Sequence, residues 1–204
     1  MLSPTLAGLL TGLSLIVAIG AQNAYVLRQG LLRSHVGPVV AVCAISDLVL
    51  IAAGVAGVGT LVDRAGWVLD VVRWVGVAFL TWYAISSLRS AARPETLDAR
   101  TAAAAGESRT AVLGKTLALT WLNPHVYLDT VLLLGSIAAA HDGSGGGRWW
   151  FAVGAGLASI AWFTSLGFGA RLLAPLLSRA RAWQLLDVLT AVTLLLVAAR
   201  LALG

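Results

Sequence analysis

The sequence has one cysteine, Cys43, in 204 residues, and little charge: 11% of residues are Asp, Glu, Lys or Arg. A single cysteine excludes an internal disulfide, a dithiol redox pair and a cysteine metal cluster. No basic residue precedes the first apolar stretch, which begins at Met1-Leu2-Ser3-Pro4-Thr5, so the pattern of a cleaved signal peptide is missing and that stretch is expected to be retained. A nucleotide-binding glycine loop is absent. Gly12-Leu13-Ser14-Leu15-Ile16 lacks the second glycine of a serine-hydrolase elbow, which argues against an intramembrane enzyme. His35 and His141 have no metal-ligand spacing and read as ordinary histidines at span ends. Net charge is +5, but the basic residues are scattered between apolar stretches rather than clustered, which disfavours nucleic acid as a partner.

What the chain has is apolar residue: 59% of the total, with a mean hydropathy of +0.88. A soluble domain has roughly 45–50% apolar and ~25% charged residues. The composition therefore predicts an all-α membrane protein of one domain, 1–204, with the lipid bilayer as its surroundings. Six runs are long enough to span, at about 4–27, 37–61, 67–89, 112–137, 149–171 and 183–203, with a polar loop at about 90–111. Lys and Arg in short loops stay on the cytoplasmic side. Arg28 and Arg33, then Arg89 through Lys115, then Arg171, Arg179 and Arg181 follow the odd-numbered spans, which puts both termini outside. Trp67, Trp149, Trp150 and Trp183 begin spans, where an indole anchors in the headgroup layer. Gly8 and Gly12 form a small-xxx-small pair suited to helix packing within one molecule.

A weak internal repeat lays Gly12–Arg28 against Gly114–Thr130, pairing Tyr25 with Tyr127, and Leu69-Asp70-Val71 against Leu186-Asp187-Val188. Three spans per copy is an odd number, so the expectation is two inverted three-helix repeats, an architecture of transporters with the site near the midplane.

Polar groups inside spans mark the candidate site. Gln22 and Asn23 in the first span, and Asn123 in the fourth, offer amide donors and acceptors suited to an amino acid's carboxylate and amino groups. Pro124 removes a backbone donor and clashes one turn back, so the fourth span is expected to break there and free the carbonyl of Thr120. Such freed groups must find partners or line a wet cavity. Tyr25, His125 and Tyr127 are further pocket candidates. An intramembrane carboxylate costs at least ~2.5–3.5 kcal/mol unless paired or wetted. Asp47 in the second span and Asp129 in the fourth thus read as groups for a cationic substrate or a coupling proton. Asp47 could instead form an ion pair with Arg73, as a charge or gating element, and Arg73 could pair with Asp70. Asp129, one turn beyond His125, could pair with it.

Together, Gly20-Ala21-Gln22-Asn23, Asp47, and Asn123-Pro124-His125 with Tyr127 and Asp129 resemble the LysE/ArgO family of lysine and arginine exporters, over essentially the whole chain. The resemblance implies gradient-driven export of L-lysine, L-arginine or a related basic amino acid from a bacterial cytoplasm across the plasma (inner) membrane. No cofactor and no resident metal are expected from the residues. Efflux of a neutral amino acid or a metal cation by the same architecture, and a non-transporting membrane scaffold, are the rival readings. A second copy of the chain is an allowed partner.

Overall fold

The structure, a computed structural model, describes residues 2–17, 20–57, 66–92, 106–141, 146–173, 175 and 180–203. Most of the expected 90–111 loop, with Arg93, Pro94, Glu95, Asp98 and Arg100, lies outside these, as do 58–65, Asp142 to Gly145 and Arg179.

The described residues are helices joined by turns, in the order α1 (Leu2–Ile16), α2 (Ala21–Leu32), α3 (Val36–Val55), α4 (Gly66–Ala91), α5 (Arg109–Trp121), α6 (Pro124–Val126), a π-helical segment (Tyr127–Leu133), α7 (Leu134–Ala139), α8 (Gly147–Gly169), a 3₁₀ turn (Ala170–Leu173) and α9 (Ala180–Leu203). Continuous helix is the form in which a lipid-embedded backbone satisfies its own donors and acceptors. Among the described residues, three stretches are long and apolar enough to cross a membrane unaided: Val36–Val55, Gly147–Leu172 and Arg181–Leu203. The 26-residue α4 is as long but carries Asp70, Arg73 and Arg89.

The apolar run expected to span at 4–27 contains two helices and a bend. Ser3–Ile16 and Ala21–Leu32 meet at an angle of 83°; Gly20, the last residue before the restart, is extended (φ −106°, ψ 179°), and helix resumes at Ala21. The expected fourth span, 112–137, is divided too. α5 stops at Trp121, and Pro124 opens the next helical run, where its missing N–H costs nothing and its fixed φ suits the first turn.

Close backbone approach holds the bundle together. α1 runs along α8, α3 packs on both α8 and the broken fourth segment, and α4 packs on α9. A Cβ on Gly8 would overlap the Phe151 carbonyl, one on Gly12 would lie 3.1 Å from the Ala155 Cα, and one on Gly154 would overlap the Thr5 carbonyl. The glycine pair of the first helix therefore faces α8 of the same chain. The main core gathers Tyr25, Val39, Cys43, Leu80, Val112, Leu119, Phe163 and Leu194 from six helices.

Candidate functional site

Each helix break is held by a side chain of its own segment. At the second, Asn123 is the N-cap of the run beginning at Pro124: its Oδ1 accepts the His125 N–H at 3.2 Å. The Tyr127 hydroxyl donates to the Trp121 carbonyl at 2.9 Å. The tyrosine thus bridges the break at Trp121, one residue after the carbonyl expected to be freed. The break at Gly20 is held differently. Asn23 Nδ2 donates to the Ile16 carbonyl at 2.7 Å, and its Oδ1 accepts from Trp162 Nε1 at 3.2 Å. The N-cap of α2 is Gly20, so no side chain at that position caps the first turn, and the N-terminus of the helix faces the cavity lined by Gly20, Ala21 and Gln22.

Both breaks border one cavity of about 260 Å³. Of the residues singled out in the sequence, Gln22, Asn23, Asp47, Asn123, His125 and Asp129 line it together. They come from three spans distant in sequence. Gln22 Nε2 is buried without a hydrogen-bond partner. Asp47 is 7% exposed and accepts a hydrogen bond from Ser159 Oγ at 2.8 Å. Among the described residues, His, Cys, Asp and Glu side chains do not gather in a group of three.

Other expectations are corrected. Asp47 does not pair with Arg73, nor Arg73 with Asp70. Arg73 instead reaches the C-terminal turn of α9, donating through Nε to the Leu201 carbonyl and through Nη2 to that of Ala202 at 3.0 Å. Those carbonyls end α9 and have no partner within their own helix, so a cation meets them favourably. His125 and Asp129 share the cavity wall but form no ion pair. Tyr25 and Tyr127 do not line the cavity: Tyr25 is 2% exposed, its hydroxyl 3.4 Å from the Val112 carbonyl and its ring edge-on to Tyr83.

Ser159, Thr130 and Arg200 also line the cavity and were not singled out. Thr130 follows Asp129 on a π-helical stretch, whose wider turn changes which side chains face inward. Arg200 carried the only usable signal, a charge in the last apolar run, but it reads equally as a flanking residue.

A broken-helix membrane bundle around a polar cavity defines a class, that of translocators of small polar solutes. The comparisons with known proteins agree: the LysE type translocator family model matches residues 13–204. The chain is 40% identical to the arginine exporter protein ArgO of Enterobacter sp. (strain 638), covering 99% of this chain and 94% of that one. It is 37% identical to the lysine exporter LysE of Corynebacterium diphtheriae, covering 98% and 99%. ArgO of Salmonella schwarzengrund is also 40% identical. No solved structure matches. The chain belongs to the LysE type translocator family, a family of transporters and not of enzymes.

Proposed function

We propose that this protein exports a basic amino acid, L-arginine or L-lysine, across the bacterial plasma membrane. The observation that carries the reading is the sharing of one cavity by two carboxylates, Asp47 and Asp129, and the uncapped N-terminus of α2. A helix N-terminus attracts an anion through its open N–H groups and dipole. The substrate carboxylate therefore sits at Ala21 and Gln22, with Gln22 Nε2 and the Asn123 amide as donors. Its cationic groups face Asp129 and Asp47. Asn23, engaged through both ends of its amide, shapes the break. His125 joins the wall beside Asp129. The names of the arginine and lysine exporters at 40% and 37% identity support the same substrate class.

Export of a cation runs against an inside-negative potential of ~2.3 kcal/mol per charge per 100 mV. Transport is therefore coupled to an ion gradient, with a proton as the coupling ion. Six spans in two inverted three-helix repeats complete the reading, and the packing supports it. The first span's helices lie on α8 and the fourth's on α3, while α4 lies on α9, so exchanging the halves maps each pairing onto another. A Cβ on Gly30 would collide with the Gly167 carbonyl, and one on Gly135 would lie 2.7 Å from that of Gly54. The post-break helix of each half thus meets the other half's middle helix, glycine to glycine.

The test is export from cells preloaded with labelled arginine, lysine and a neutral amino acid. Selective export of the basic pair, abolished by Asp47→Asn or Asp129→Asn at matched membrane abundance, is the expected result. Export of the neutral amino acid alone, or export untouched by both substitutions, overturns it.

A further inference from the structure

Four helix hydroxyls in this protein close onto their own backbone. Ser14 donates to the Thr11 carbonyl, Thr116 to Val112, Thr120 to Thr116 and Ser136 to Leu133, each three or four residues back. That self-satisfaction is the ordinary solution for a hydroxyl in a helix. Ser159 departs from it. Although only 1% exposed, it sends its proton across to α3, to Asp47 Oδ2 at 2.8 Å. Asp47 makes no other hydrogen bond among the described residues, so one carboxylate oxygen is held and the other is left to the cavity it lines.

The same face of α8 makes a second such contact. Trp162, one turn on, donates Nε1 to Asn23 Oδ1 at 3.2 Å. Two neighbouring side chains of one helix therefore each hold a polar residue of the cavity wall, one from α3 and one from α2. The helix that carries them is firmly seated: Gly154 touches the backbone of α1, and Gly167 and Ala170 meet Gly30 of α2.

We propose that Ser159 is a positioning residue for substrate recognition, fixing the Asp47 carboxylate so that its free oxygen meets the cationic end of the amino acid. The proposal rests on the export reading above. A hydrogen bond to a buried charged group is worth more than one between neutral groups, so its loss is felt mainly as affinity.

The experiment measures export kinetics for arginine in reconstituted vesicles, and arginine binding to the purified protein, for wild type, Ser159→Ala, Ser159→Thr and Asp47→Asn, and for Ser159→Ala combined with Asp47→Asn. Ser159→Ala is expected to raise the half-saturating concentration about tenfold, with the maximal rate within about twofold of wild type. Ser159→Thr, which keeps the hydroxyl, recovers most of the affinity. In the Asp47→Asn background, adding Ser159→Ala changes binding less than about twofold, because the partner it positions has lost its charge. Wild-type affinity in Ser159→Ala overturns the proposal, as does the same tenfold loss in the Asp47→Asn background. A Ser159→Thr protein that is folded but as weak as Ser159→Ala also overturns it. A wild type that neither binds nor moves arginine or lysine overturns the export reading as well, which separates the two failures.

Discussion

Arg28 and Asp187 meet at 3.0 Å although 159 positions apart in sequence, with Asp187 1% and Arg28 21% exposed. The pair ties α2 to α9 beside the cluster of Leu31, Leu32, Ala170 and Trp183. At ~1.5 Å of rise per residue, Arg28 is about 9 Å along α2 from Gln22 at the cavity. A tether on one end of the half-helix thus fixes the angle at which its other end meets a substrate.

Removing one partner breaks a largely buried ion pair, which costs about 3 kcal/mol or more. Asp187→Asn and Arg28→Gln are each expected to lower the thermal midpoint of the detergent-solubilised protein by several degrees. Arg28→Met together with Asp187→Leu recovers most of that loss. Unchanged midpoints in the single variants would show that the pair adds no stability.

Arg73 tests a different assignment. Its two bonds to the α9 carbonyls make it a cap, so Arg73→Ala should destabilise the protein by about 1–2 kcal/mol while export per molecule stays as in wild type. Lost export at matched abundance would restore the gating role that the sequence suggested for this residue.

Glycine packing makes an internally controlled comparison. A Cβ on Gly54 would sit 2.7 Å from the Val131 carbonyl, and one on Gly135 at 2.7 Å from that of Gly54, whereas a Cβ on Gly114 meets nothing within 4 Å. Gly54→Ala and Gly135→Ala should each cost about 1–3 kcal/mol through overpacking. Gly114→Ala, in the interior of α5, should be neutral or stabilising by up to about 1 kcal/mol. Fluorescence-detected size-exclusion after a heat step ranks the three, and an equal ranking contradicts the described crossing.

Asn123 has two separable duties. Asn123→Asp keeps the oxygen that caps the His125 N–H, and Asn123→Ala loses it at about 1 kcal/mol. Both lack the amide donor proposed for the substrate carboxylate. Both should therefore lose export at matched abundance, while only the alanine variant unfolds earlier. Full export by either removes Asn123 from the substrate contacts.

The apolar runs were legible because composition alone reports the cost of water against backbone in lipid. The break at Asn123 was legible too, since Pro124 cannot continue a helix. Gly20 announces no such stop: it tolerates helix and extended backbone alike, and the contact of Asn23 with Trp162 beside the bend joins residues 139 positions apart. The π-helical run Tyr127–Leu133 has no local signature that distinguishes it from α-helix. In the cavity, Gln22, Asp47, Asn123, His125 and Asp129 stood out because polar groups are costly in lipid. Ser159 did not, because a serine can satisfy itself on its own helix. Arg28 and Asp187 were each visible, one as a topology marker and one in a repeat, but nothing local joins them.

Cys43 packs in the main core and is fully buried, 0% exposed. A thiol reagent that cannot cross the bilayer has little to attack on the folded wild type, so the protein is already its own blank for site-directed labelling. A second cysteine introduced at Arg33 or Ala140, both exposed and in described turns, would report, by the face from which it is modified, which side of the membrane each turn occupies, with no need to remove the native residue first.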